Sequence, residues 1–156
     1  MSDTQVPEMS WPGLSGRLED GCHRLGVRVY YEDTDFTGIV YHATYVRFFE
    51  RGRSDFLRLA GIHHAELLKE GAGGIAFAVR RMGLEFVRPA TIDDVLEVQT
   101  RLTAFRGARI TLAQTIHRGA DLLVSADVEV AVISGEGRPM RLPQRLAERL
   151  SALLPR

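Results

Sequence analysis

The chain has 156 residues, 45% hydrophobic and 26% charged, and its twenty basic and twenty acidic residues cancel. That length predicts one domain able to bury a core without metal or disulfide staples, and the balanced charge gives no argument for nucleic-acid binding. The lone cysteine, Cys22, excludes an intrachain disulfide and fits a reducing compartment.

Residues 1–24 are expected to form a poorly ordered leader, because Pro7, Pro12, Gly13, Gly16 and Gly21 fall among polar residues without period. No apolar signal core is present there; Asp3, Glu8, Arg17, Glu19 and Asp20 interrupt it. Nor does any later apolar run approach the roughly 18 residues of a membrane span, so a cytoplasmic protein is expected. Order is expected from near Leu25, as one domain over 25–156. Val27, Val29 and Tyr31 alternate with Arg28, Tyr30 and Glu32, a strand period. A helix is predicted from about Ala43 to Leu59, with Tyr45, Phe49, Gly52, Phe56 and Leu59 on one side and Phe48 and Leu57 widening the apolar face. Glu50 with Arg53, and Arg51 with Asp55, have the spacing of helix-surface pairs. Gly61 is placed to end this helix.

A short helix over Ala65 to Lys69 is stopped by the Gly71–Gly74 run. Four strands follow: Ile75 to Arg88, Val95 to Phe105, Arg109 to His117 and Leu122 to Ile133. Turns at Arg106-Gly107 and Gly119-Ala120-Asp121 link the last three. Leu122, Val124, Ala126, Val128, Val130 and Val132 share one face of the fourth, and Pro143 opens a helix to about Leu154. One strand, one apolar helix and four antiparallel strands predict an α+β domain, a sheet with one face covered by a central helix. Exposed edges and apolar faces would then be covered by dimerisation.

Chemistry concentrates where the first strand meets the helix, in Tyr30-Tyr31-Glu32-Asp33-Thr34-Asp35-Phe36-Thr37-Gly38-Ile39-Val40-Tyr41-His42. Folding alone does not need that density of carboxylates at a strand end, and free amides at a helix start can meet a ligand. Gly38 permits a backbone path returning the loop toward Asp35, and the amides of Tyr41, His42 or Ala43 can face a ligand with the helix dipole behind them. Asp33 and Asp35 could instead make only turn bonds, the usual role of loop Asp. His63-His64 lacks further ligands at metal spacing, and Cys22 lacks a neighbouring base, so neither is assigned chemistry.

Residues Tyr31 to Ala43 resemble the 4-hydroxybenzoyl-CoA thioesterase family, and more narrowly the Tol-Pal system-associated acyl-CoA thioesterases. Phe48, Glu50 and Arg53 match the family's Phe-x-Glu-x-x-Arg helix pattern, and Gly137-Arg138-Pro139 with Arg141 and Pro143 matches its exit from the last strand. The resemblance covers about Gly26 to Pro143; Thr44 stands where Asn is usual and Gly52 where Ala is usual. It implies a hotdog fold, a five-stranded antiparallel sheet wrapped around one central apolar helix, in a dimer or tetramer. It implies hydrolysis of an acyl-CoA to free acid and coenzyme A, with no metal and no cofactor beyond the substrate's own coenzyme A.

By the same resemblance Asp35, second acid of the Asp-x-Asp pair, is catalytic as nucleophile or general base, and the amide at His42 is the oxyanion donor. The His42 side chain orients water or assists the leaving thiolate, and Tyr41 and Gly38 line the site. Glu50 is the rival carboxylate, because another branch of hotdog thioesterases carries its acid on the central helix. Arg101, Arg106 and Arg109 are candidates to hold coenzyme A phosphates on the same or a neighbouring subunit. An acyl carrier protein or an envelope complex is the further partner considered. Two other functions keep the scaffold: hydration or dehydration of an acyl thioester, and binding of acyl-CoA or acyl carrier protein without turnover. None of the five histidines lies in the Pro-rich loop that hotdog dehydratases use, and an intact acid at position 35 argues against binding alone.

Overall fold

The computed structural model of the chain describes residues 11–71 and 73–156. Strands β1 (Arg17–Glu19) and β2 (Cys22–Arg28) form a hairpin and lead through a 3-10 turn (Tyr31–Asp33) to helix α1 (Thr44–Leu59). Helix α2 (His64–Leu67) precedes β3 (Ile75–Phe86), β4 (Val95–Arg106), β5 (Arg109–Arg118) and β6 (Asp121–Ser134), and α3 (Gln144–Ser151) closes the described chain. The strands form one antiparallel sheet in the order β1-β2-β4-β5-β6-β3. This is the expected sheet with a central helix, with six strands rather than five.

The sixth strand comes from the segment expected to be loose. Asp20 and Gly21, both at positive φ, make the two-residue turn that pairs Glu19 with Cys22, the hairpin chemistry of an Asp-Gly pair. Cys22 and His23 are fully buried, so order starts well before Leu25, while residues 1–10 of the expected leader lie outside the described residues. At its other end the strand stops early. Val29 still exchanges hydrogen bonds with Asp93 and Asp94, but the Asp33 carboxylate accepts the Tyr30 amide at 2.8 Å and bends the chain into a turn. Tyr31, expected to alternate inward, is therefore exposed.

Helix α1 buries Tyr45, Phe48, Phe49, Phe56 and Leu57 against β1, β2 and β4. Leu59, expected on that face, is exposed, whereas Arg53 and Asp55, expected on the surface, are buried. Neither expected surface pair forms among the described residues. Asp55 bonds His23 and Arg58 instead of Arg51, and Arg53 turns inward to Gln114, away from Glu50. Along β6 the Val124–Val132 alternation faces the core as expected; a register shift opposite Ile116 and His117 turns Leu123 inward and leaves Leu122 exposed. The β1 edge is three residues long, while the opposite edge, β3, is twelve residues with β6 as its only neighbour among the described residues.

Candidate active site

The loop between the 3-10 turn and α1 is a tight return. The Asp35 amide donates to Ile39 C=O and the Gly38 amide to Asp35 C=O, each at 3.0 Å. Gly38 sits at φ +87, where a side chain would be strained. A bridge from Thr34 to Val40 closes the loop, and one from Ile39 to Thr91 fastens it to the turn that precedes β4. Asp35 is half-buried, and one carboxylate oxygen accepts the Thr37 amide at 2.8 Å and the Thr37 hydroxyl. These two bonds, hydroxyl first, hold the Asp35 carboxyl below its ordinary value, with a smaller contribution from nearby His42. Asp33 is a structural acid: its carboxylate caps the 3-10 turn, and its carbonyl receives Tyr41 N–H at 2.9 Å and the Thr44 hydroxyl at 3.3 Å.

That last bond removes Tyr41 from the expected set of free amides. His42 and Ala43 remain, with no acceptor for their N–H groups among the described residues. Helix α1 has no side-chain cap, and its first turn has no acid. The positive end of the helix is thus left for an outside acceptor. The His42 ring lies 4.6 Å from Tyr41 and 6.3 Å from Phe86, centre to centre. With Ile39, Tyr45, Phe86 and Pro89 it walls a shallow cleft of about 280 Å³. Asp35 stands beside this cleft rather than lining it. The Tyr45 hydroxyl accepts the Ala90 amide at 3.0 Å and so ties the helix start to the Phe86–Pro89 wall.

The other candidates lie elsewhere. Glu50 is exposed, eight residues beyond His42 and so about 12 Å further along α1, on a second cavity of about 470 Å³. Arg106 and Arg109 flank the β4–β5 turn, while the Asp35 loop is fastened at the opposite end of β4, some 35 Å of strand away. Arg109 is also engaged by Glu129 at 2.6 Å, and Arg101 is exposed in mid-β4. Among the described residues no group of three or more His, Cys, Asp or Glu could hold a metal ion.

Three buried polar residues were missed, Gln114, Thr100 and His23, and a fourth, Arg53, was read only as half of a surface pair and part of the helix pattern. Gln114 is buried and donates to Phe49 C=O and the Thr100 hydroxyl, each at 2.9 Å. Arg53 donates to the Gln114 amide oxygen at 3.0 Å. His23 is wholly buried, its Nε2 2.7 Å from Asp55. The signal was present for two: Gln114 interrupts the inward series Ile110, Leu112, Ile116, and Thr100 interrupts Leu96, Val98, Leu102.

A single long helix laid on this antiparallel sheet, entered through an acid-bearing return loop, defines a hotdog-fold thioester hydrolase. The chain belongs to the thioesterase-like superfamily, whose pattern matches residues 29–150. It is 41% identical to the acyl-CoA thioester hydrolase YbgC of Escherichia coli over 79% of this chain and 91% of that protein. It is 39% identical to the acyl-CoA thioesterase YbgC of Haemophilus influenzae over 81% of this chain and 93% of that one. A probable thioesterase from Bartonella henselae, 48% identical, superposes with a TM-score of 0.75 over 78% of this chain and 99% of its own. The expected kinship with the Tol-Pal-associated thioesterases is thereby met.

Proposed function

We propose that the chain hydrolyses an acyl-CoA thioester to free acid and coenzyme A, with Asp35 as nucleophile or general base and the His42 amide as oxyanion donor. One observation carries this reading: an ionised Asp35 stands beside a helix start whose His42 and Ala43 amides have no acceptor among the described residues. A thioester carbonyl laid over those amides becomes more electrophilic, and the charge that develops on its oxygen is met by N–H groups already in place. Asp35 attacks the carbonyl carbon or takes a proton from the attacking water. Collapse of the tetrahedral intermediate expels the thiolate, which takes a proton from water or from the Asp35 carboxyl with His42 assisting. Where Asp35 was the nucleophile, water then opens the mixed anhydride, releasing the acid and restoring the carboxylate. Tyr41 and Gly38 border the reacting group, and the reaction needs no metal or added cofactor.

A second copy of the chain completes the site in this reading. Asp35 lies beside an open cleft, not in an enclosed one, and the long β3 edge offers unpaired backbone groups to a neighbour. A cytoplasmic enzyme fits the acyl-CoA substrate and the lone thiol. No described helix is long and apolar enough to cross a membrane. The test is thiol release from acyl-CoA by the wild type and by Asp35→Asn. Loss of turnover with an unchanged fold and oligomer supports the assignment, and full retained activity overturns it.

A further inference from the structure

The second cavity holds a charge that the thioesterase reading does not use. Its walls are Val46, Leu57, Phe77, Val79, Leu112 and Val130, and Arg53 reaches into it from α1. Arg53 is only 9% exposed, yet no carboxylate lies within ion-pair distance among the described residues. Its one side-chain bond among the described residues runs to a neutral partner, Gln114. The remaining guanidinium donors have no acceptor among the described residues and are not sealed in protein, so they open on the cavity. Buried cations are ordinarily paired, because an unpaired charge away from water is costly. Arginine keeps its charge under such burial, and its fork of donors matches a carboxylate.

The placement says what would bring that carboxylate. Helix α1 and strand β3 wall both cavities: His42, Tyr45 and Phe86 at one end, Val46, Arg53 and Phe77 at the other. Arg53 stands ten residues beyond Ala43, about 15 Å along the helix axis. An acyl group whose thioester sits on the helix start would run over Val46 through apolar walls and end at the guanidinium. We propose that Arg53 reads a carboxylate at the far end of the acyl chain, so that the enzyme selects ω-carboxyacyl-CoA over acyl-CoA of equal length. This rests on the thioesterase reading above. Glu50, the one acid on the cavity wall among the described residues, is solvent-exposed; it attracts Arg53 through space but forms no ion pair with it. His64, with its ring 5.8 Å from Phe77, is pushed toward its neutral form by burial and adds a donor without a competing charge.

The experiment measures thiol release by the full chain from paired acyl-CoA and ω-carboxyacyl-CoA substrates of increasing length. The readout is the ratio of their kcat/KM values in the wild type, Arg53→Met and Arg53→Lys. The wild type is expected to favour the carboxylated member by roughly tenfold or more once the chain spans the distance to Arg53. Arg53→Met collapses the ratio toward one, and Arg53→Lys keeps part of it. A wild-type ratio of one or less at every length overturns the proposal, and needs no variant to fold. A ratio unchanged in Arg53→Met overturns it too; if that variant also loses its oligomer, Arg53 belongs to the contact between subunits. If neither series releases thiol, the hydrolase reading falls. Calorimetry of the wild type with free dicarboxylic against monocarboxylic acids then decides the cavity: tighter diacid binding keeps Arg53's role, and equal binding removes it.

Discussion

At the scale of single residues, the hydroxyl of Thr37 sets the working range of Asp35. In the proposed mechanism the acid acts ionised, and its depressed value keeps it so as pH falls. The acid limb of kcat/KM is therefore expected below the ordinary aspartate range. Thr37→Val removes the hydroxyl bond, the largest cause of the depression, and leaves the amide bond. Its limb should move up in pH while the plateau changes little, and an unmoved limb would assign it to another group. Asp35→Asn should cut kcat about 10²–10⁴-fold, the usual worth of a general base, with unchanged circular dichroism because the loop is at the surface.

Gly52 is a second residue at which two opposing effects can be weighed. In mid-helix, Ala is favoured over Gly by about 1 kcal/mol. Here a Cβ would meet Val98 Cγ1 at 2.8 Å, Thr100 Oγ1 at 3.0 Å and Gln114 Nε2 at 3.2 Å. The last two belong to the buried chain of bonds that holds Phe49 C=O and Arg53. Overpacking such a site costs typically about 1–3 kcal/mol. Gly52→Ala is thus expected to lower stability by about 1 kcal/mol net, read as a melting temperature reduced by about 2–4 °C. A higher melting temperature would mean the strands yield more easily than their bonding suggests.

At the scale of elements, α1 is fastened to its surroundings by polar contacts that its apolar face did not advertise. Asp55 accepts from Gly16 N–H at 2.8 Å and Arg58 at 3.0 Å and lies 2.7 Å from His23 Nε2. Helix, β2 and the stretch before β1 meet on this one carboxylate. Asp55→Leu leaves His23 buried without its partner, a loss of about 3 kcal/mol, expected as a lower urea midpoint at unchanged slope. The double variant His23→Leu/Asp55→Leu should lose less than the sum of the two single variants, since the two share one interaction. Additive losses would show that each residue acts alone. Helical spacing named Tyr45, Phe49 and Phe56 correctly, because side-chain period is a local property. It misplaced Arg53, Asp55 and Leu59, because the partners that bury the first two, Gln114 and His23, are 61 and 32 residues away in sequence.

At the scale of the whole molecule, the element order, the helix and the four long strands were legible because turns at Gly107 and Gly119 and the alternation within each strand are written locally. The Asp-Gly turn at Asp20-Gly21 was equally local, but the prolines and glycines around it read as looseness. The arrangement of the site was legible only in part. The motif named Asp35 and His42, and the chain brings both to the start of α1. No local pattern could tell that the β4–β5 turn points away from them.

That separation yields the final prediction. Arg106 lies at the far end of β4 from Asp35, so if it holds a coenzyme A phosphate it serves the site of another subunit. Arg106→Ala should then raise KM for acyl-CoA, with a smaller effect at high salt, where phosphate contacts are screened. Mixing subunits separates the geometries. A site drawing Asp35 from one subunit and Arg106 from its neighbour is restored when Asp35→Asn and Arg106→Ala chains are unfolded together and refolded. Each mixed dimer then holds one site with both defects and one with neither. Activity at low substrate should rise above that of either variant refolded alone. If mixing gives only the average of the two, Arg106 acts on its own subunit or not at all, and the phosphates must be held by groups nearer the helix start.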